Sequence, residues 1–217
     1  MLKIESFVFN PLEENTFVLY DETKECVIVD PGCYDQAERY ELSQFISDNE
    51  LNVKLLLNTH CHVDHVLGNY FVKEKYKVKL LINPIEVALL KAVEAYAPSY
   101  GIYQYQPTTA DGFLNEGDVV SFGNQSLKVL FVPGHSPGHI AFFHEASEVL
   151  IGGDVLFYNS IGRTDLPGGN HETLINSIHQ KLFTLPDTTT VFPGHGPETT
   201  IGFEKKTNPF CALTNAR

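Results

Sequence analysis

Four apolar runs in this chain each stop at a turn and then deliver a histidine or an aspartate, and this device constrains the fold more than any other feature. "VKLLLNT" opens onto His60, His62, Asp64 and His65; "LKVLFVPG" onto His135; "EVLIGG" onto Asp154; and "TTVFPG" onto His195. Short apolar runs bounded by turn residues read as buried strands. Glycine and proline let the backbone turn sharply after them, so side chains from distant strands can converge. Loops carried on a rigid sheet are where functional residues gather.

A lone PGH or GGD is more often an ordinary turn than a ligand. The HCHVDH cluster is far more specific, because neutral imidazoles and a carboxylate are donors that zinc or iron accepts. Repetition at four strand ends strengthens the joint reading. The seven groups are too many for one tetrahedral ion. Two ions roughly 3.5–4 Å apart, with one carboxylate bridging, would use them all.

The remaining pattern is mixed. "LKIESFVF" and "NTFVLY" alternate as half-buried antiparallel strands do, and "CVIVDPG" reads as a buried strand stopped by Asp30, Pro31 and Gly32. Helices are expected over 35–49, over 84–97 with Asn83 as cap and Pro98 as stop, and after Asn170. "DVVSF", "IAFF" and the three later ligand-bearing runs add strands, while "SYGIYQYQPTTADGF" has no regular period. No composition shift marks a linker, so the expectation is one layered α/β domain over 1–217.

Composition narrows the function. The net charge of −12 repels phosphate backbones, and no basic patch offsets it, so nucleic acid is not an expected partner. No apolar run is long enough for a membrane span, and none of the four cysteines forms a CxxC pair. The acidic residues of "MLKIESFVFNPLEEN" do not suit a signal peptide. These features predict a cytoplasmic, reduced protein.

Taken in order, "THCHVDH", "PGHSPGH", "GGD" and "PGHGP" resemble the metallo-β-lactamase fold superfamily over nearly the whole chain. The resemblance implies a four-layer αββα sandwich. It further implies that His60, His62 and His135 bind one ion, that Asp64, His65 and His195 bind a second, and that Asp154 bridges. Within the superfamily, "GGDVLFYNSIGRTDLPGGNHETLINSI" and "FPGHGPETTIGFEKKTNPF" are most similar to short glyoxalase II-like thioester hydrolases. Full-length hydroxyacylglutathione hydrolases add a C-terminal helical domain that grips glutathione. This chain ends soon after His195, so that domain is expected to be missing.

Neighbouring residues divide between site and scaffold. Arg163 stands where glyoxalase II-like enzymes contact substrate, and a pair with Asp165 is the competing reading. His139 is expected to orient a ligand or its loop. Cys61 reads as buried filler and Asp30 as a turn former. His144, His171 and His179 are expected to be structural or solvated, His179 on an exposed helix face. Tyr96, Tyr100, Tyr103 and Tyr105 suit a satellite core slightly better than a substrate mouth.

The expected activity is thus hydrolysis of a small-molecule thioester, an S-2-hydroxyacyl thiol, by a hydroxide bridging two divalent ions. Asp64 would aim that hydroxide, and zinc, iron and manganese all accept the donor set. The alternative is a mononuclear-iron persulfide dioxygenase of the same fold. Those enzymes usually carry cysteine where this chain has His139.

Overall fold

The computed structural model describes residues 1–213. The chain divides into two compact units, Met1–Leu114 with Val120–Ser126, and Asn115–Val119 with the chain from Leu127 onward.

In the first unit β1 (Lys3–Phe9) and β2 (Glu14–Tyr20) form an antiparallel pair, and β3 (Glu25–Val29) joins β2 antiparallel. β1 alternates as expected, but β2 is buried along six of its seven residues, so both its faces are covered. From β3 onward the pairing is parallel. Helix α1 (Gln36–Asp48) crosses to β4 (Asn52–Leu57), and α2 (Val63–Val66) and α3 (Asn69–Tyr76) lead to β5 (Lys79–Ile82). Parallel neighbours require such crossovers. Asp35 and Glu38 close a capping box on α1.

The helix expected from Asn83 begins instead as a 3-10 turn over Pro84–Glu86 and becomes α4 over Val87–Tyr96. The α-helix ends at Tyr96, just ahead of Pro98 as expected. Pro98 sits in a second 3-10 turn, Ala97–Tyr100, where its missing N–H costs nothing. β6 (Gly112–Phe113) completes the order β1-β2-β3-β4-β5-β6. Strand β5 follows directly on the lysines of α3, and its apolar run is too short between charged flanks to show a strand period.

The second sheet runs β14-β13-β10-β9-β8-β7. Its strands are β7 (Val119–Phe122), β8 (Gln125–Phe131), β9 (Ile140–His144), β10 (Val149–Gly153), β13 (Thr190–Pro193) and β14 (Thr199–Thr200). A separate hairpin, β11 (Leu156–Phe157) with β12 (Ser160–Ile161), follows β10. Helix α5 (His171–Gln180), capped by Asn170, crosses from β10 to its parallel partner β13, and α6 (Ile201–Thr207) follows β14. The turn of the β7–β8 hairpin belongs to the first unit, where Asp21 Oδ2 accepts bonds from Asn124 N–H and Gln125 Nε2 at 2.8 Å each.

Each unit has its own apolar core. The first gathers around Val18, Ile28, Leu42 and Leu56, the second around Val132, Leu150, Leu174 and Ile178, all fully buried. No helix among the described residues is long and apolar enough to cross a membrane. All four cysteines are buried thiols.

Strand direction places the ligand candidates. β8 and β10 each pair antiparallel with β9, and β10 pairs parallel with β13. The carboxyl ends of β8, β10 and β13 therefore point the same way, and His135, Asp154 and His195 follow those ends. In the first unit, parallel β3 and β4 deliver Asp30 and the His60 cluster to one edge in the same manner. The carboxyl edge of parallel strands is where open α/β sheets bind ligands.

Gly134, in the turn before His135, has φ +137°, and a Cβ there would lie 2.3 Å from Leu174 N. Gly134→Ala should destabilise the protein by about 2–4 kcal/mol, combining backbone strain with overpacking. Gly101→Ala, with φ +77° and open space around it, should cost only about 1–2 kcal/mol. Urea unfolding of the two variants beside the parent checks the ranking.

Candidate metal centre

The first unit supplies one set of ligand candidates. β4 ends at Leu57, and Asn58, Thr59 and His60 follow it in fully buried positions. His62 precedes α2, whose single turn carries Asp64 and His65 on its way to Val66. The rings of His60 and His62 lie 4.7 Å apart between centroids, those of His60 and His65 4.2 Å. Asp64 Oδ2 stands 3.7 Å from His65 Nε2.

Asp30 is the hub beneath this set. It is the turn former expected, with φ +48°, and its carboxylate does more. Oδ1 accepts from Thr59 N–H at 2.7 Å, while Oδ2 accepts from the Thr59 hydroxyl and from His65 Nδ1 at 3.1 Å. The Thr59 hydroxyl has one proton and gives it to Asp30, so its oxygen accepts from His60 Nδ1 at 3.0 Å. Both imidazoles are thus held with Nδ1 as the protonated nitrogen. Hydrogen bonding at the far nitrogen is the usual preparation of a histidine for a metal. Asp30, His60 and His65 bring ligand-type atoms within 4.8 Å of one another. The Asp30 oxygens are occupied by these donors, so it acts as a support and not as a ligand.

Three buried polar residues that the sequence reading did not single out for this role also hold the loop. Asn10 donates to the carbonyls of Gly32 (3.1 Å) and Asp64 (3.2 Å). Asn58 donates to His65 O at 2.9 Å. Glu86 Oε2 accepts from Cys61 N–H at 2.8 Å, while Asn83 caps Ile85 N–H. Glu14 heads the apolar strand β2, fully buried 3.9 Å from His65 Nδ1, and burial pushes its carboxyl well above the usual range against the pull of His65. A carboxylate opening a strand of buried residues was the one available signal for it. Cys61 is fully buried, and burial raises its thiol far above the ordinary value, so it fills space as expected.

The second unit supplies the other set. His135 and Asp154 are buried, and the side chain of His195 is 27% exposed. His135 Nδ1 donates to Arg163 O at 2.8 Å, which again makes Nδ1 the protonated nitrogen. Asp154 Oδ2 lies 3.5 Å from His135 Nε2 and 3.6 Å from His195 Nε2. These separations are long for hydrogen bonds. They match ligand atoms sharing a tetrahedral ion, which at bond lengths near 2.1 Å stand about 3.4 Å apart. The donor set therefore fits a divalent metal.

His139 is fully buried, and its Nε2 accepts from Asp154 N–H at 3.0 Å. It holds the turn that carries Asp154, the role expected of it. Arg163 instead makes the competing contact: its guanidinium grips Asp165 in a fork at 2.7 and 2.8 Å and holds that carboxyl down at about 2. Both partners are exposed.

The other histidines divide. His144 caps a 3-10 turn by accepting from Ser147 N–H, and His171 is exposed at the start of α5. His179 is not on an exposed face; it is half-buried, stacked on Phe183 and bonded to Cys211 O at 2.7 Å. The C-terminal segment covers it, which no helical period could reveal. Tyr96 and Tyr105 pack against the first core, whereas Tyr100 and Tyr103 are exposed.

Comparison with known proteins agrees with this chemistry. The family model described as "Metallo-beta-lactamase superfamily" matches residues 10–195. Hydroxyacylglutathione hydrolase GloC of Haemophilus influenzae is 38% identical over 211 residues, covering 96% of this chain and 98% of the relative. Among solved structures, the BLEG-1 B3 metallo-beta-lactamase superposes with TM-score 0.87 at 35% identity, covering 97% of this chain and 100% of that one. TTHA1623 in a di-iron-bound form does so with TM-score 0.84 at 34% identity, covering 95% and 99%.

Asp30→Asn replaces the oxygen that accepts from His65 or Thr59 with an amide donor. Affinity for divalent metal should fall about 10–100-fold, the usual cost of losing a partner behind a metal-binding histidine. Competition against a chromophoric chelator measures it.

Proposed function

Because the chain belongs to the metallo-beta-lactamase superfamily and is a hydrolase of that family, we propose that it cleaves thioesters of 2-hydroxy acids. The observation that carries this reading is the likeness to a hydroxyacylglutathione hydrolase along essentially the full length of both chains. We read the two units as one catalytic domain. His60, His62 and His135 would hold one divalent ion and Asp64, His65 and His195 a second, with Asp154 shared. When bound, such ions lower the pKa of water towards about 7 and polarise a carbonyl.

The chain's own residues do the rest. The hydrogen bonds from Nδ1 of His60, His65 and His135 orient each ring and would present its other nitrogen to an ion. Asp64, with Oδ2 3.7 Å from His65 Nε2, would accept a hydrogen bond from water held at the site and so orient it. A thiolate leaves readily, so no strong general acid is needed, and the set contains none. Arg163 is exposed next to the His135 loop, and exchanging Asp165 for a substrate carboxylate would preserve its fork.

The metal is zinc, iron or manganese by donor type. Cleavage of a lactam is a second reading, supported by the likeness to BLEG-1. A panel of lactoyl-thioesters of several thiols, run beside a β-lactam, decides between them. Oxygen uptake by protein holding a single iron, without thioester cleavage, would replace both readings with an oxygenase.

Chelation should abolish hydrolysis and added metal should restore it; full activity in metal-free protein would end this assignment. Asp154→Ala should lower bound metal measured by elemental analysis and reduce kcat at least about 10²-fold, as loss of a key electrostatic group does. Arg163→Ala should raise KM about tenfold, equivalent to one charge-assisted contact, and leave kcat within about twofold.

A further inference from the structure

Glu204 is a fully buried carboxylate in a helix of seven residues, and α6 does not need it. The helix is capped by Thr200, whose hydroxyl accepts from Phe203 N–H. A buried carboxylate is costly unless every oxygen is hydrogen-bonded. Those of Glu204 are: of its three donors, Asn159 and Thr199 lie outside α6, and Asn208 is the C-cap of the helix. Asn159 N–H reaches both oxygens at 3.2 Å, Asn208 Nδ2 reaches Oε2 at 2.7 Å, and the Thr199 hydroxyl reaches Oε1.

Asn159 is the turn of the β11–β12 hairpin, where φ is +53°. The same Asn208 amide donates to Ser160 O at 3.0 Å. On the exposed side, the rings of Tyr158 and Phe203 stack at 5.2 Å with an interplanar angle of 8°. Helix α6 therefore grips one hairpin turn twice, through a buried carboxylate and through a surface stack.

The base of that hairpin is in contact with the second ligand set. Gly162 N–H donates to Val155 O, and a Cβ on Gly162 would come 2.0 Å from Asp154 O and 3.2 Å from His135 Cβ. The next residue, Arg163, supplies the carbonyl that fixes His135 Nδ1. Phe157, in β11, sets its ring edge-on to His195 at 6.3 Å. The hairpin and the two residues after it thus reach all three of His135, Asp154 and His195.

We propose that α6 is a clamp on the β11–β12 hairpin, and that Glu204 and Phe203 are positioning residues that hold His135, Asp154 and His195 in metal-binding geometry. The inference rests on the ligand assignment made above. It gives the segment after β14 a role in the site although none of its side chains is a ligand.

Glu204→Gln keeps the shape of the side chain and turns one acceptor into a donor facing Asn159 or Asn208. Phe203→Ala removes the surface stack and leaves the buried network intact. Lys205→Ala, which breaks an α6 ion pair with Asp187, is the control for general loosening of the helix. Each full-length protein is checked for folding by far-UV circular dichroism and thermal unfolding. Zinc affinity is then measured by chelator competition, and the visible spectrum of the cobalt-loaded form is recorded.

Glu204→Gln should weaken zinc binding about tenfold or more, and Phe203→Ala by a smaller factor, as expected for residues supporting ligands from behind. Both should shift the cobalt bands and lower kcat more than they raise KM, while Lys205→Ala matches the parent. Folded Glu204→Gln and Phe203→Ala proteins with parental zinc affinity and unchanged cobalt spectra would overturn the clamp. Should Glu204→Gln not fold, the exposed Phe203→Ala decides in the same way. A parent protein that binds no zinc or cobalt would overturn the ligand assignment and the clamp together. Failure to cleave thioesters, with these metal readouts as expected, would leave the clamp standing.

Discussion

Parallel pairing of β10 with β13, from Val149 opposite Thr190 to Gly153 opposite Pro193 with one register shift after Ile151, obliges the turns after both strands to leave the sheet at one edge. The rest of the second unit depends on it. Had β13 run the other way, His195 would stand a strand length away from Asp154, and no loop could return it. The crossover through α5 makes the parallel arrangement possible, because a tight turn can join only antiparallel neighbours. β3 and β4 repeat the logic in the first unit and bring Asp30 under the His60 cluster.

What strand direction provides coarsely, buried hydrogen bonds refine. Asp30 receives two backbone or hydroxyl donors from Thr59 and one imidazole N–H from His65, so it fixes a loop and a tautomer together. Glu86 and Asn10 hold the same loop by its backbone, and His139 holds the turn of Asp154. Removing either partner of such a bond leaves a buried group without its match, which costs about 1–3 kcal/mol. The candidate ligands are therefore few, and the residues needed to hold them still are many.

Much of the scaffold was legible because strand and helix periods are local. The apolar runs ending at Asn58, Pro133, Gly153 and Pro193 appear as strands β4, β8, β10 and β13, and the Asn170 cap starts α5 as read. Short elements escaped. β5 and β14 are too brief to show a period, and α2 is one turn of helix inside the ligand motif itself. Arg163 was open to two readings because a guanidinium fork suits a substrate carboxylate and the local Asp165 equally.

By itself the sequence determined the chemistry: imidazoles and carboxylates placed at the turns after apolar strands, in an order that the superfamily shares. Only the tertiary structure decided which buried polar groups hold them. Asp30 meets His65 across 35 positions, Asn10 meets Asp64 across 54, and Glu204 meets Asn159 across 45. Periodicity reports which face of an element is buried, and it carries no record of which distant donor a buried carboxylate will find. That choice is made when the sheets set their strand order and every interior polar group must be matched.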